Sequence, residues 1–255
     1  MSRRRAVREE DDEEERPEVR CSRHKKPVKG APYEAIAIGA ALGLGAFFFG
    51  RSVLKDMNTL VSTTSECEKL VKRIKRDTEK YPVVGIDCQW VRNGSENRQI
   101  FLLQLASYSG YIALIQLHKL ETIPDILKDI LASRDVIKAG FKPRQDANFL
   151  MQDYGLEVNG TFDLRFLARD TDVYPGGLES LAIDVLGVNI GADVEIMASN
   201  WEQEPLDDKQ KEYAEAAVKA SFDIFKKLLE KQFWFPTRNI KEYAEQYLDL
   251  RYELK

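Results

Sequence analysis

The residues with the clearest chemical potential in this chain are Asp87 and Gln89, which follow the apolar run at 83–86. If that run is a β-strand, side chains two positions apart point to the same face, so both groups would project together from its end. Paired carboxylates at this spacing can begin a divalent-cation site, because one bridges two ions and the next completes a coordination sphere. Here the second group is an amide, and an Asp-x-Gln pair alone is more often an ordinary strand end.

Apolar runs and turn residues predict the elements that would position these groups. Strands are predicted at 83–86, 100–106, 111–115, 136–140 and 161–164, with a hairpin turn at 107–110. Helices are predicted at 123–131, 146–154, 178–186 and 209–231, with Gly155 and Gly187 ending the second and third. Three successive strands followed by alternating strands and helices predict a mixed sheet covered by helices.

Three motifs occur in order along this region. They are VVGIDCQW with IFLLQLAS, then KPRQDANFLMQDYGLEVNGTFDLRFLA, then SNWEQEPLDDKQKEYAEAAVKAS. Over about residues 80–232 they resemble the motifs of the DEDDy family of 3′–5′ exonucleases, which includes RNase D and the Werner exonuclease. The resemblance is greatest to the exonuclease 3′–5′ domain-containing protein 2 group. It implies a hydrolase family, an α/β ribonuclease H-like fold with a mixed sheet of five or six strands flanked by helices, and Mg²⁺ or Mn²⁺ as cofactor.

The resemblance assigns roles to five positions. Asp87 and Asp146 match the first-motif and second-motif aspartates, which are metal ligands in the family. Tyr213 matches the third-motif tyrosine, which orients the attacking water. Gln89 stands where the family has a glutamate. Ala217 stands where the family has its last aspartate, four residues after the tyrosine and therefore on the same helix face.

Loss of two carboxylates should weaken such a metal centre severely. Two divalent cations about 4 Å apart repel each other and are tolerated because roughly four carboxylates neutralise them. Gln89 offers only a neutral carbonyl oxygen and Ala217 offers nothing, while Glu215 and Asp223 lie at different helical angles. Mg²⁺ prefers near-ideal octahedral oxygen geometry, so a site with two carboxylates should bind it weakly.

We therefore hypothesise a pseudo-exonuclease that binds RNA or DNA, preferably single-stranded, without efficient hydrolysis and with Tyr213 as a vestige. The first alternative is a working, Mn²⁺-dependent exonuclease that recruits another ligand. The second is a scaffold that forms a homodimer or binds a protein partner. Asp87 and Asp146 could also persist only as hydrogen-bonding groups at a strand end and a helix cap.

Other residues near the motifs have simpler interpretations. Cys88 should point to the buried side of its strand as an inert thiol, and Asp163 should be structural. A basic group beside Asp146 either contacts phosphates or lies in a solvated loop, and it consists of Lys138, Lys142 and Arg144. The net charge of −4 gives no general attraction to nucleic acid, so any such partner must meet a local basic patch.

The N-terminal region predicts a membrane anchor. Residues 1–30 are almost entirely polar and are expected to be a disordered tail, whereas 35–50 carry no charge. With its apolar flanks, the segment 31–54 approaches the roughly 20 residues that span a bilayer. A buried core helix is the alternative, although this stretch has no polar face. The residues predicted to lie in the membrane include Ala35, Gly39, Gly43 and Phe47.

The expected organisation is a tail at 1–30, an anchor at 31–54, a helical linker at 55–80, an exonuclease-like domain at 81–232 and a helical extension at 233–255. The extension should pack back onto the domain, or else form a dimer or partner contact. A short Gly/Ala-rich anchor with basic flanks favours the mitochondrial outer membrane, as does the resemblance. Three widely spaced cysteines without a disulfide or zinc pattern favour a domain that faces the cytosol.

Overall fold

The computed structural model of the chain describes residues 59–93, 97–232 and 240–252. The predicted tail and anchor, with Ala35, Gly39, Gly43 and Phe47, lie outside these ranges. None of the helices in these ranges combines the length and the apolar character that a bilayer-spanning segment requires.

The elements follow one another in the order expected for an α/β domain. They are β1 (Leu60–Val61), α1 (Thr64–Lys80), β2 (Val83–Asn93), β3 (Asn97–Ala106), β4 (Ile112–Gln116), α2 (Asp125–Ala132), β5 (Ile137–Gly140), α3 (Pro143–Tyr154), β6 (Thr161–Asp163), α4 (Leu164–Asp170), α5 (Leu178–Leu181), α6 (Val194–Met197), α7 (Asp208–Gln232) and α8 (Ile240–Glu245). A 3₁₀ turn (Leu117–Lys119) follows β4, and a π-helical turn (Ala182–Leu186) continues α5.

The strands form one mixed sheet in the order β1-β4-β3-β2-β5-β6. Strands β2, β3 and β4 pair antiparallel, whereas β5 runs parallel to β2, β6 to β5 and β1 to β4. The predicted hairpin turn joins β3 to β4, where the Ser107 N–H donates to the Tyr111 carbonyl at 2.9 Å. The expected mixed sheet with flanking helices is therefore confirmed.

Successive residues of β2 alternate between two hydrophobic cores. Val84, Ile86 and Cys88 pack beneath α1, α2 and α3, so the buried placement predicted for the Cys88 thiol is confirmed. Val83 belongs to the opposite core, which α7 covers. Since Asp87 lies an even number of positions from Val83, its side chain emerges on the face beneath α7.

Helix α7 approaches the sheet closely at Gly85. A Cβ atom added to Gly85 would lie 2.5 Å from the Val218 carbonyl oxygen and 3.0 Å from the Phe222 amide nitrogen, both in the α7 backbone. Only glycine permits this contact, because real Cβ atoms do not approach backbone so closely. The contact sets the height of α7 above the strand end that carries Asp87.

The segments on either side of the motif region also belong to the packed structure. Helix α1 forms within the range predicted as a linker, begins with a capping box between Thr63 and Glu66, and buries Leu70 and Ile74 against the sheet. Helix α8 packs back onto the core that α7 covers, as expected for the extension. Both elements are therefore layers of the domain rather than free-standing connections.

Helix α4 was not predicted, and its start depends on one side chain. The strand predicted at 161–164 ends at Asp163, whose carboxylate accepts a hydrogen bond from the Arg165 N–H at 3.1 Å and so caps the new helix. The predicted helix at 178–186 also differs, because only Leu178–Leu181 is α-helical before the π-helical turn. The turn ends at Gly187 in the left-handed conformation, as predicted.

Replacement of Gly85 by alanine should destabilise the chain by about 3 kcal/mol, because the new methyl group must push α7 away from β2. Urea unfolding of Gly85→Ala against the natural chain measures this change. Gly177→Ala is the matched control, since a Cβ at Gly177 meets nothing within 4 Å and the backbone φ is −95°. Equal stability of Gly85→Ala and the natural chain would show that the helix is not fixed by this contact.

Candidate active site

The sequence-predicted site residues meet at the carboxyl ends of the parallel strands, where open α/β sheets usually bind ligands. Asp87 lies on β2 just beyond the residues that pair with β5, and Asp146 lies in the first turn of α3, the helix that follows β5. Helix α7 brings Tyr213 and Ala217 over the same edge. The Asp87 charge contributes to raising the pKa values of both Asp146 and Tyr213.

The side-chain amide of Gln89, which replaces the second carboxylate of the family pattern, points at the carboxylate of Asp87. Gln89 Nε2 donates a hydrogen bond to Asp87 Oδ2 at 3.0 Å, and the Gln89 side chain is only 7% exposed. A carboxylate at this position could not donate such a bond. The Gln89 amide therefore supplies a proton donor to Asp87 where the family pattern supplies a second negative charge.

Burial makes both retained aspartates hard to ionise. It raises the pKa of Asp87 to about 7, although the Cys88 backbone N–H and the Gln89 amide act in the opposite direction. Burial, followed by the charge of Asp87, raises the pKa of Asp146 well above its ordinary value, while Arg98 opposes the shift. In the described ranges no residue donates a hydrogen bond to the Asp146 carboxylate, so Asp146 does not serve as the helix cap considered above.

The third-motif positions on α7 are buried. The Tyr213 ring is 8% exposed with its centroid 6.3 Å from that of Trp201, and burial and the Asp87 charge raise the pKa of its hydroxyl. Ala217 is fully buried in the core. The two acids considered as replacement ligands have other partners, since Glu215 accepts a hydrogen bond from Thr59 and Asp223 pairs with Lys219.

These residues do not fit a two-metal centre. Across 59–93, 97–232 and 240–252, no three His, Cys, Asp or Glu side chains are grouped closely enough to hold a metal ion. Two neighbouring divalent cations require about four carboxylates, and this edge of the sheet presents Asp87 and Asp146. The described residues at this edge therefore lack the charge that holds a pair of cations.

Lys138 was proposed as a phosphate contact, and the structure corrects that assignment. Its side chain is fully buried, and Nζ donates hydrogen bonds to three carbonyl oxygens. One belongs to Ile130 in the last turn of α2 (3.3 Å), and the other two belong to Ser133 (2.5 Å) and Val136 (2.7 Å), which follow that helix. Burial lowers the pKa of Lys138 to about 7, whereas the three acceptors favour its charged form. Lys138 therefore satisfies backbone carbonyls and is not available to a phosphate.

The other two predicted basic residues line a cleft. Lys142 and Arg144 lie where α3 begins, and the cleft beside them has a volume of about 300 Å³. Its floor carries an ion pair in which Arg165 donates two side-chain hydrogen bonds to Asp163, at 2.9 and 2.6 Å. The structural role expected for Asp163 is thus observed as both a helix cap and a buried ion pair.

Sequence reasoning missed several polar residues at this edge. Gln104 pairs with Asp87 across β2 and β3 and is fully buried, with no hydrogen-bond partner in the described chain for either side-chain polar atom. A polar residue inside the apolar run IFLLQLA was its signal. Arg251 and Tyr252 also line the cleft, but they lie outside all three motifs and gave no signal.

Comparison with known proteins identifies relatives of this chain. Residues 61–232 match the family model for 3′–5′ exonuclease. Exonuclease 3′-5′ domain-containing protein 2 from Mus musculus is 38% identical over 185 residues, which are 69% of this chain and 28% of the relative. The Drosophila melanogaster protein of the same name is 35% identical over 169 residues, covering 65% of this chain and 29% of the relative. The chain thus matches less than a third of the length of these relatives.

Solved structures extend the comparison. The crystal structure of Escherichia coli RNase D aligns with a TM-score of 0.59 at 23% identity, covering 75% of this chain and 51% of that chain, which shows the shared fold. A crystal structure of the EXD2 exonuclease domain soaked in Mn is 35% identical with a TM-score of 0.42, covering 73% of this chain and 95% of that chain.

The raised pKa of Asp87 predicts that the chain loses stability as the pH rises. A carboxyl group with an unfolded pKa near 3.8 and a folded pKa of about 7 stabilises the fold fully below the unfolded value, and the contribution is lost as the pH rises through the folded value. Between pH 5 and pH 8 the free energy of unfolding should therefore fall by about 2–3 kcal/mol more in the natural chain than in Asp87→Asn. Urea unfolding in the presence of a chelator measures the difference.

Asp172→Asn provides the matched control, because Asp172 is exposed and its left-handed backbone (φ 57°) suits asparagine equally well. This variant should follow the natural chain at both pH values. Superimposable pH profiles for Asp87→Asn and the natural chain would contradict the burial argument.

Proposed function

Because the chain belongs to the 3′–5′ exonuclease family, we propose that it is a membrane-anchored exonuclease-like protein that binds single-stranded nucleic acid without hydrolysing it efficiently. The proposal separates the binding of a strand, which depends on the fold and on basic side chains, from its hydrolysis, which depends on the metal centre. The arrangement at the strand ends supports the first and opposes the second.

One observation carries the loss of hydrolysis. The hydrogen bond from Gln89 Nε2 to Asp87 Oδ2 places an amide donor against the carboxylate that would bridge the two ions. A cation bound at that oxygen would meet the partial positive charge of the amide N–H instead of a second carboxylate. At the fourth ligand position the methyl group of Ala217 offers no oxygen. Gln89 and Ala217 therefore remove a carboxylate from the second and the fourth ligand positions of the metal centre.

Retained features support the binding of a strand. Lys142 and Arg144 lie at the start of α3, the helix that carries Asp146, and both line the adjacent cleft. Phosphate contacts from such side chains give affinity without sequence specificity. RNA and DNA are both candidates for the bound strand.

We propose the membrane location on the sequence alone. The uncharged stretch at 35–50 supports a single N-terminal anchor, and its short Gly/Ala-rich character supports the mitochondrial outer membrane. A domain that faces the cytosol agrees with the free thiols of Cys67 and Cys88. Tethering would concentrate the strand-binding domain at that surface.

An active exonuclease is the second candidate, and one observation favours it. Asp146 remains buried with the half-buried Asp87 near it, and among the described residues nothing donates a hydrogen bond to Asp146. A single Mn²⁺ between the two carboxylates would relieve their repulsion. Hydrolysis by this route would still lack the second cation that stabilises the leaving oxygen.

Degradation assays on labelled single-stranded RNA and DNA, in Mg²⁺ and in Mn²⁺, separate the two candidates. We expect the full chain to release no more nucleotide than its Asp87→Ala variant, because neither holds a pair of cations. Restoring both carboxylates in Gln89→Glu/Ala217→Asp should produce metal-dependent 3′–5′ degradation. The same double variant should also gain thermal stability on addition of Mn²⁺, because the ion binds only the folded state.

The restored variant with Asp87→Ala added is the control, and it should lose both the activity and the stabilisation by Mn²⁺. Activity of the natural chain that Asp87→Ala abolishes would contradict the proposal. It would show that another ligand has been recruited.

A further inference from the structure

The cleft beside α3 collects positive charge that the described protein does not neutralise. Four cationic side chains and one carboxylate line it, so the lining carries three net positive charges, although the whole chain carries −4. The carboxylate is Asp163, which Arg165 already engages through two hydrogen bonds. The remaining three are Lys142, Arg144 and Arg251, and none of the ion pairs among the described residues includes them.

A segment beyond the matched family region supplies one of these cations. Arg251 lies 19 positions after residue 232, where the family match ends. The backbone is fixed just before it, because the Asp249 carboxylate accepts hydrogen bonds from the Gly160 N–H (3.2 Å) and the Thr161 N–H (2.9 Å) at the start of β6. The same carboxylate pairs with Arg134 at 2.9 Å.

The residue after Arg251 fixes the segment on its other side. The Tyr252 ring is 9% exposed and lies 4.6 Å from the Arg165 guanidinium carbon and 5.1 Å from the centroid of Phe166. Tyr252 thus belongs to the floor of the cleft. Arg251 is held between two anchored neighbours, Asp249 and Tyr252, and remains exposed itself.

We propose that the segment 249–252 completes a phosphate-binding cleft in which Arg251, together with Lys142 and Arg144, binds phosphodiester groups of the strand that approaches Asp87 and Asp146. The inference rests on the proposed function, and it adds a binding residue and a positioning role for Asp249. Arginine suits this task because its planar guanidinium donates paired hydrogen bonds to phosphate oxygens.

The geometry favours a nucleic-acid strand over a single small anion. The three cations come from two separate segments of the chain that line one cleft, so they can contact successive phosphates. Lys142 and Arg251 are exposed, which leaves the cleft open to a polymer. The cleft also begins at the N-terminus of α3, the helix that carries Asp146, so a strand bound there leads towards the retained carboxylates.

Fluorescence anisotropy of labelled oligo(dT) and oligo(U), titrated with the full chain over a series of KCl concentrations, tests the inference. Arg251→Gln should weaken binding about five-fold and reduce the slope of log K against log salt by about 0.7, the value for one lost phosphate contact on a single strand. Arg76→Gln is the matched control, because Arg76 is exposed on α1, which packs on the opposite face of the sheet from α7. This control should leave both quantities unchanged.

Asp249→Ala tests whether Asp249 positions Arg251, because electrostatics alone and the loss of that positioning predict opposite changes in binding. It removes a negative charge, which by general attraction alone would tighten binding to a polyanion. Our inference predicts weaker binding instead, because the segment that presents Arg251 is released. Thermal unfolding of each variant confirms that the comparison is made on folded protein.

The outcomes separate this inference from the function on which it rests. If the natural chain binds the oligonucleotides and Arg251→Gln binds them equally well, the phosphate-binding role of the cleft is wrong, whereas the proposed function still holds. No binding by the natural chain would overturn both. A parallel titration with phosphatidylserine vesicles covers the other source of phosphate, and loss of vesicle binding without loss of oligonucleotide binding in Arg251→Gln would overturn the inference.

Discussion

Burying two carboxylates side by side costs several kcal/mol per charge unless a cation or hydrogen-bond donors offset the loss of hydration. Asp146 is buried and Asp87 is half-buried close to it at this edge of the sheet, where the charge of Asp87 acts on Asp146. Asp87 receives the Gln89 amide and a backbone N–H, whereas no described residue donates to Asp146. Both groups therefore have raised pKa values, and the edge of the sheet can reduce its charge by taking up protons.

This constraint gives the two substitutions a common physical meaning. Four carboxylates in this place would be stable only with bound cations, whereas two are tolerable without them. Gln89 removes one charge and adds a donor to Asp87, and Ala217 removes another charge while filling the core beneath α7. The scaffold does not depend on the metal, because the contact between Gly85 and the α7 backbone and the two cores beside the sheet set the positions of the helices. The domain can thus lose its metal centre and keep its shape.

Much of this arrangement could be predicted from the sequence because it depends on local patterns. The apolar run before Asp87, the Gly155 cap and the i, i+4 relation of Tyr213 and Ala217 each identify an element or a shared face without tertiary information. The remainder depends on long-range contacts. Lys138 was predicted to be a cation available to phosphate, but its side chain is buried and hydrogen-bonds to the carbonyl oxygens of three residues. Helix α4 begins because the Asp163 side chain caps it, and the place of Arg251 depends on Asp249 reaching β6 across 88 positions of sequence.

The central claim is that this edge of the sheet does not hold a pair of divalent cations, and a titration of the full chain with Mn²⁺, followed by electron paramagnetic resonance, tests it most directly. The signal of free Mn²⁺ disappears on binding, and two ions about 4 Å apart produce a spin-coupled spectrum. Our account predicts no spin-coupled pair and no difference in the coupled signal between the natural chain and Asp87→Ala. Saturable binding of two coupled Mn²⁺ ions that Asp87→Ala removes would contradict it.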